Sequence, residues 1–179
     1  LEYEQESMAK LQDNAREMLN HLVEAFNGIS EWSGEAAFQV IKPLAKANGV
    51  FVGYEASVAG GVPIIKTMKN ILLVNDVSRV QGILNGTTNY ILTKMRAEAW
   101  SFDDALKEAQ RLGYAEADPF NDVSGQDAFK KLMILSSLAF GEQPNWADVE
   151  VIGIDTISAE QVKDATEKGL RYRHVAEVE

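Results

Sequence analysis

The sequence contains no cysteine and only two histidines, and both features narrow the chemistry open to it. Without cysteine there is no disulfide framework, no thiolate nucleophile and no zinc site built on cysteines. The histidines, His21 and His174, lie far apart in the chain and form no recognisable ligand pair. A cytoplasmic location is the default expectation for a chain of this composition.

Long apolar runs and an excess of basic residues are missing too. No stretch approaches about 18 consecutive apolar residues, so we expect no transmembrane helix. The acidic N-terminal segment lacks the basic and apolar regions of a signal peptide. The net charge is −10, and broad nucleic-acid or anionic-membrane surfaces need basic patches, so we predict neither partner. Neither GxGxxG nor GxxxxGK[ST] occurs, so a nucleotide site of those types is not visible.

Helical periodicity is the main pattern that is present. Apolar residues recur at three- and four-residue steps over residues 6–26, which predicts an amphipathic helix. Further helices are predicted over 33–48, 63–73, 86–97, 102–112, 124–140 and 158–169. Strands are predicted over 50–58, 79–84 and 170–179 from their β-branched or alternating composition. We therefore predict a helix-rich α+β (α/β-like) fold with about three strands.

Acidic residues gather just before the helix at 124–140. Placed on that helix, Asp127 and Lys131 share a stripe with Ile134 and Leu138, which predicts that the charged pair faces inward at the rim of a cavity. A lysine there can donate or accept a proton. The alternative is that Asp127 and Ser124 cap the helix while Lys131 extends into solvent.

The loop before this helix carries Glu116, Asp118 and Asp122, whose charges repel unless a cation offsets them. A protonated amine, a metal ion or a lysine would each serve, although a solvated acidic loop explains the same pattern. The glycines of EASVAGGVP permit a ligand to approach the backbone, or form a tight turn. The segment NGTTNY offers a helix N-terminus to an anion, or simple capping.

Four segments together resemble the homoserine dehydrogenase family. They read YEASVAGGVPIIK (54–66), GILNGTTNYILTKM (82–95), ALKEAQRLGYAEADP (105–119) and DVSGQDAFKKLMIL (122–135). The resemblance covers roughly residues 34–179, and the pair GTTNYIL and GYAEADP is highly specific. It implies a mixed β-sheet covered by helices, forming the family's substrate-binding and dimerisation domain over 34–179. Residues 1–33 remain an N-terminal helical segment without a trusted alignment.

The resemblance also implies an activity, a partner and a set of site residues. The activity is the NAD- or NADP-dependent interconversion of L-homoserine and L-aspartate 4-semialdehyde, on the route to threonine and methionine, by a homodimer. Lys131 matches the catalytic lysine that exchanges a proton with the substrate oxygen, and Asp127 an acid near the reacting end. Glu116 matches the acid that holds the substrate ammonium group. The other substrate-contacting positions are Asp122, Tyr114, Thr87 and Gly86.

A sodium ion is the second cofactor that the resemblance implies. Glu55 matches a carboxylate that surrounds this ion together with three backbone carbonyls. Those carbonyls belong to Val58, Gly60 and Val62.

The chain departs from the family pattern in two places. The glycine fingerprint of the nucleotide domain is missing, and the segment NGISEWSGEAAFQV stands where the family has a second catalytic lysine. We therefore expect the substrate half of the enzyme, which alone binds NAD(P) weakly and turns over slowly or not at all. One alternative is a non-catalytic dimerisation or amino-acid-binding module derived from this family. Another is the dehydrogenase part of a bifunctional aspartokinase.

Overall fold

The computed structural model describes residues 53–179 and, before them, Lys10, Pro43, residues 45–47 and Gly49. The chain divides into two compact units, Leu1–Tyr54 and Glu55–Glu179. In the first unit, Lys10, Pro43 and residues 45–47 are helical. The rest of the helices predicted over 6–26 and 33–48 lies outside the described residues, as do the predicted boundary at residues 33 and 34 and the segment 50–52.

The second unit contains the elements that carry the site. Its helices are α1 (Ile64–Ile71), α2 (Gly86–Glu98), α3 (Phe102–Arg111), α4 (Phe120–Val123), α5 (Gln126–Phe140) and α6 (Ala159–Glu167). Its strands are β1 (Val80–Gly82) and β2 (Ala176–Val178), and short 3-10 turns occur at Glu55–Ser57 and Trp146–Asp148. None of the helices that the structure describes is long and apolar enough to cross a membrane.

Three of these helices begin where a polar side chain can cap them. The side chains of Asn85, Ser101 and Ser158 each accept the backbone N–H of the third helical residue of α2, α3 and α6. This contact satisfies one of the N–H groups that have no partner inside a helix. Gly113 and Gly169, both with positive φ, follow the ends of α3 and α6. The five longer helices predicted over 63–169 are thus confirmed.

The described sheet is small. Strands β1 and β2 pair in antiparallel register, with Val80 opposite Val178 and Gly82 opposite Ala176. The predicted α+β class is confirmed, with two strands within the described part of the chain rather than about three. The strand predicted over 79–84 is therefore confirmed over residues 80–82 and the one predicted over 170–179 over residues 176–178, so both are shorter than predicted.

The strand predicted over 50–58 is wrong where the structure describes it. Residues 55–57 form a 3-10 turn, and residues 53 and 54 belong to no strand. The physical reason is the Glu55 carboxylate, whose two oxygens accept the backbone N–H groups of Ile65 at 2.9 Å and Lys66 at 3.0 Å. These N–H groups lie in the first turn of α1, so the chain must fold back toward that helix instead of running extended.

The core forms where α2, α3 and α6 pack together. Its buried members are Ile91, Leu92, Met95, Ala105, Ala109, Ala115, Val123, Ile154 and Val162. Helix α5 buries a neighbouring face that includes Ala128, Leu132 and Leu135. Ile134 and Leu138 are half-buried, so the stripe that also carries Asp127 and Lys131 lies at the edge of this buried face. The fold thereby presents the charged pair at the border between core and solvent.

Candidate functional site

A cleft of about 560 Å³ opens where the N-terminus of α2 meets α4 and the first turns of α5. Most of its lining side chains are polar, and they come from three helices and the loop after α3. The lining residues are Asn85, Gly86, Thr87, Asn89, Tyr90, Thr93, Tyr114, Asp122, Asp127 and Lys131. Six of the positions singled out from the sequence therefore meet in one place.

Lys131 and Asp127 form an ion pair in the wall of this cleft. The Lys131 Nζ lies 2.6 Å from Asp127 Oδ2, one helical turn away, and also donates to the Leu84 carbonyl at 3.2 Å. Their side chains are 26% and 30% exposed, so the ion pair is partly buried and still accessible from the cleft. An ammonium has three N–H donors, and these two contacts leave one for a ligand.

The alternative in which Ser124 and Asp127 cap α5 is wrong. The N-cap of α5 is Gly125, with φ of 85°, and no side chain caps this helix. The Ser124 hydroxyl instead donates to the Phe120 carbonyl. Asp127 is therefore free of a capping role and turns toward Lys131 and the cleft.

A single amide joins the two aspartates of the cleft. Asn85 Nδ2 donates to Asp122 Oδ1 at 2.6 Å and to Asp127 Oδ2 at 2.8 Å. The two carboxylate oxygens therefore lie within about 5.4 Å of each other, the sum of these distances. At an effective dielectric constant of 20, two unit charges about 5 Å apart repel by roughly 3 kcal/mol. The cleft is thus a place where a further positive charge is stabilised.

The N-terminus of α2 gives the cleft a site for a negatively charged group, in contrast to the two carboxylates. The N–H groups of Gly86 and Thr87 are at the start of the helix and have no acceptor within it. A methyl group added at Gly86 would meet no atom within 4 Å, so the space beside this backbone is open to a ligand. Backbone donors at a helix N-terminus bind anionic groups such as carboxylates.

Thr87 also fixes the loop that carries Tyr114. Its hydroxyl donates to the Tyr114 carbonyl at 2.6 Å, and the ring of Tyr114 packs against Tyr90 with 5.0 Å between centroids. The structure therefore gives Thr87 a structural contact in addition to its place in the lining.

Glu116 is the predicted site residue that the structure does not bring to the cleft lining. Its side chain is exposed, and its backbone carbonyl accepts from Gln110 Nε2 at 3.0 Å. It lies only two residues beyond Tyr114, which does line the cleft. The assignment of Glu116 to the substrate ammonium group stays a prediction.

Two of the four predicted sodium ligands, Glu55 and Val62, have other partners. Both Glu55 oxygens accept N–H groups of α1, and the Val62 carbonyl accepts from the Ile64 N–H at 2.8 Å. An all-oxygen set suits a hard cation, but in this arrangement Glu55 serves α1. No cluster of three or more histidine or acidic side chains that could hold a metal occurs among the residues described. The sodium site at Glu55, Val58, Gly60 and Val62 stays a prediction, and no chemical step depends on it.

A dinucleotide does not fit the second unit alone. The sequence has no glycine fingerprint, and the two strands described between residues 53 and 179 are antiparallel. A βαβ crossover between parallel strands, which positions the pyrophosphate at a helix N-terminus, is therefore not available in this part of the chain.

Sequence reasoning missed the bridging role of Asn85 and the lining positions Asn89, Tyr90 and Thr93. The signal for Asn85 was its place as an N-cap. An asparagine that caps through its oxygen and is also buried must place its NH2 group against an acceptor, and Asp122 and Asp127 were the available acceptors.

Comparison with known proteins yields two family matches. The family described as "Homoserine dehydrogenase" matches residues 63–179. The family described as "Anticodon binding domain" matches residues 1–57, less than a third of the chain.

Relatives and solved structures resemble the larger part of the chain. Homoserine dehydrogenase of Neisseria gonorrhoeae is 47% identical over 133 residues, covering 74% of this chain and 31% of the relative. That of Synechocystis sp. is 44% identical, covering 87% and 35%. The structure of a homoserine dehydrogenase from Thiobacillus denitrificans superposes with a TM-score of 0.74 at 45% identity, covering 80% of this chain and 33% of that one. A hyperthermophilic archaeal homoserine dehydrogenase in complex with NADPH gives 0.64 at 36% identity, covering 77% and 40%.

The chain spans about a third of the length of the curated relatives it matches. The family match itself extends over well more than half of the chain, from residue 63 to residue 179. It includes the cleft and every residue that lines it. The chain belongs to the homoserine dehydrogenase family.

Proposed function

We propose that this chain is the substrate-binding part of a homoserine dehydrogenase, which interconverts L-homoserine and L-aspartate 4-semialdehyde with NAD or NADP. The route served is threonine and methionine biosynthesis, in the cytoplasm. The observation that carries the proposal is the convergence of three chemistries in one cleft: paired carboxylates, a helix N-terminus and a half-buried lysine. An amino acid with a terminal oxygen has the matching ammonium, carboxylate and carbinol groups.

Different residues of the cleft bind different groups of the substrate. Asp122 attracts the ammonium group, because it lies near the second carboxylate of Asp127 and two neighbouring carboxylates stabilise an added cation. Glu116, on the loop after α3, is proposed as a further acid for the same ammonium group. The N–H groups of Gly86 and Thr87 bind the α-carboxylate. The ring of Tyr114 packs against Tyr90 and gives the cleft an aromatic wall on this side.

Lys131 acts at the reacting end. Asp127 and the Leu84 carbonyl hold its ammonium, and the remaining N–H is available to the substrate oxygen. The lysine gives a proton to this oxygen in one direction and takes it back in the other. NAD(P), when bound, supplies the hydride acceptor or donor. The chain's own residues thus bind, orient and move one proton.

We also propose a homodimer. Ile83 and Val175 are large apolar side chains that remain exposed next to the ends of β1 and β2, and Ile152 is a further exposed apolar side chain. Exposed apolar groups of this kind support an interaction surface. Light scattering at micromolar concentration should give twice the chain mass, and a monomer would contradict the proposal.

Calorimetric titration of two ligands into the 179-residue chain tests the proposed function. L-homoserine should bind, and L-2-aminobutyrate, which lacks the hydroxyl, should bind more weakly. Lys131→Met should abolish this discrimination, because the variant keeps the aliphatic stem and loses the donor. Asp122→Asn should weaken both ligands equally, because both carry the ammonium group.

Lys130→Met is the matched control for this titration. Its ammonium is one position away on the same helix and contacts Asn121 at 3.3 Å, outside the cleft lining. It should bind both ligands as the unmodified chain does. A non-catalytic module would bind both ligands alike, or neither, in every variant. A folded chain that binds neither ligand would contradict a preformed site.

The match over residues 1–57 favours RNA binding as a second candidate function, but charge opposes it. This segment has nine acidic and four basic residues, whereas phosphate contacts require lysines and arginines. We propose no nucleic-acid partner. Fluorescence anisotropy with bulk tRNA at low salt should show no binding, and salt-sensitive micromolar binding would support the second candidate.

A further inference from the structure

Asn85 lies at the junction between β1 and α2 and is buried, with 4% of its surface exposed. Its backbone is extended, with φ of −127° and ψ of 122°, as an N-cap requires. A buried side-chain amide must satisfy both its acceptor and its two donors. Asn85 does so with three different partners, and this use of all its polar atoms fixes its orientation.

The hydrogen-bond partners determine which side-chain atom of Asn85 is Oδ1 and which is Nδ2. The backbone N–H of Thr88, 2.8 Å away, can only donate, so the atom facing it is Oδ1. Ionised carboxylates can only accept, so the atom facing Asp122 and Asp127 is Nδ2. The helix therefore holds the oxygen, and the two N–H groups point to the two aspartates.

Through Asp127 this arrangement reaches Lys131. Asp127 Oδ2 accepts from Asn85 Nδ2 and from Lys131 Nζ at once, at 2.8 Å and 2.6 Å. Lys131 also donates to the carbonyl of Leu84, the residue that precedes Asn85. Both acceptors of the lysine are thus fixed by the same two-residue segment at the start of α2.

We propose that Asn85 is a positioning residue. By donating to both Asp122 and Asp127, it prevents the two carboxylates from competing for Lys131, and the free N–H of Lys131 therefore points into the cleft. This inference rests on the proposed function, because that function gives Lys131 its role. The hydrogen bonds themselves are independent of it. Without the amide, the two aspartates repel each other and both attract the lysine. Lys131 then moves between them and away from a ligand oxygen.

Two variants separate positioning from helix capping. Asn85→Asp keeps an oxygen for the Thr88 N–H but replaces the donor with a third carboxylate. Asn85→Ser keeps a capping hydroxyl that is too short to bridge the aspartates. Asn145→Asp is the matched control, because Asn145 accepts from the Ala147 N–H and donates to Asp148, at an exposed turn away from the cleft.

The first measurement uses the ligand-free chain and does not depend on any substrate. We expect both side-chain N–H resonances of Asn85 in ¹H–¹⁵N NMR spectra to shift as acid protonates Asp122 and Asp127. The charged and titratable groups near this amide are those two aspartates, Lys131, and the cleft tyrosines Tyr90 and Tyr114. If the Asn85 resonances do not respond to pH, the inference is overturned.

The second measurement is the titration of L-homoserine at several pH values. Losing hydrogen bonds to charged groups should weaken binding at least 10-fold in Asn85→Asp and Asn85→Ser near pH 8, and leave Asn145→Asp unchanged. Binding by Asn85→Asp should recover toward acid, where the introduced carboxyl gains a proton that it can donate. Asn85→Ser should show no such recovery.

Each other outcome also decides the matter. Unchanged binding in both Asn85 variants overturns the inference. So does equal loss in both variants that follows their thermal unfolding and shows no recovery in acid, because capping alone explains that result. If the unmodified chain binds no L-homoserine while its Asn85 resonances follow both aspartates, the proposed function fails for this chain and the positioning geometry stands.

Discussion

The Thr87 hydroxyl donates a hydrogen bond of 2.6 Å to the backbone carbonyl of Tyr114 and thereby ties the first turn of α2 to the loop after α3. Thr87 is buried, so water cannot replace this contact if it is lost. The loop also receives two hydrogen bonds from Gln110 Nε2, to the carbonyls of Glu116 and Ala117. The position of the acidic loop therefore depends on a few side chain to backbone contacts.

Replacing Thr87 tests this dependence. Thr87→Val keeps the shape and removes the hydroxyl, so the Tyr114 carbonyl loses its donor. We expect the free energy of unfolding in urea to fall by about 1–2 kcal/mol. Amide hydrogen exchange over residues 113–118 should become faster. Thr87→Ser retains the hydroxyl and should keep the slow exchange, and equal exchange in Thr87→Val would contradict the role assigned to this bond.

The packing of α2 gives a second prediction. Leu92 is 2% exposed within the cluster formed by α2, α3 and α6. Leu92→Ala should lower the free energy of unfolding by about 2–5 kcal/mol, because it removes buried apolar surface and leaves a cavity. Leu73→Ala is the control, since Leu73 is 80% exposed and should change stability by less than about 0.5 kcal/mol. Similar losses in both variants would show that the core lies elsewhere.

Gly153 provides a third prediction because it approaches the backbone next to the cleft. A methyl group at this position would lie 2.5 Å from the Val123 carbonyl and 2.9 Å from the Ser124 Cα, atoms that a side-chain movement cannot displace. The close approach lets the Ile154 N–H donate to the Val123 carbonyl at 2.8 Å. Gly153→Ala should therefore cost about 1–3 kcal/mol of stability or more.

The same clash should reach the site, because Val123 follows Asp122 directly. Gly153→Ala should weaken L-homoserine binding even under conditions in which the variant is folded. Gly60→Ala is the matched control for stability, since a methyl group there would meet no atom within 4 Å. Equal stability of the two variants in urea would contradict the predicted overlap.

Local signals predicted most of the helices. Asn85, Ser101 and Ser158 stand immediately before α2, α3 and α6 as N-caps, and apolar residues recur at three- and four-residue steps within α3 and α6. Helix α4 lies in a segment that the sequence predicts to be a loop, because four residues are too short to show a helical period. The strand at 50–58 failed because Glu55 contacts α1 ten residues further on, and β-branched composition carries no information about such a contact.

The site was predictable where its geometry follows from one helix. The spacing of Asp127 and Lys131 placed them one turn apart at the edge of the buried face of α5. The convergence of Asp122, Gly86 and Tyr114 on that pair depends on how separate elements pack, and only the family resemblance suggested it. Spacing also cannot determine the direction of a loop side chain, and Glu116 is exposed outside the lining.

The pairing of β1 with β2 should make stability depend on pH through Glu177. The hydrogen bond from Arg79 and, after it, the positive charge of Arg79 hold the pKa of Glu177 below its ordinary value of 4.5. A lowered pKa in the folded state means that the pair stabilises the protein above the ordinary pKa and ceases to do so as the pH falls through the lowered one. Glu177→Gln should therefore have a lower melting temperature than the unmodified chain at pH 7, and the two melting temperatures should converge in acid.

This difference in melting temperature at pH 7 should shrink in high salt, because the ion pair is exposed. Glu150→Gln is the control, because Glu150 is exposed and has no ion pair in the described part of the chain, and its melting temperature should equal that of the unmodified chain at every pH. If the melting temperature of Glu177→Gln stays below that of the unmodified chain in acid, the ion pair is excluded as the cause.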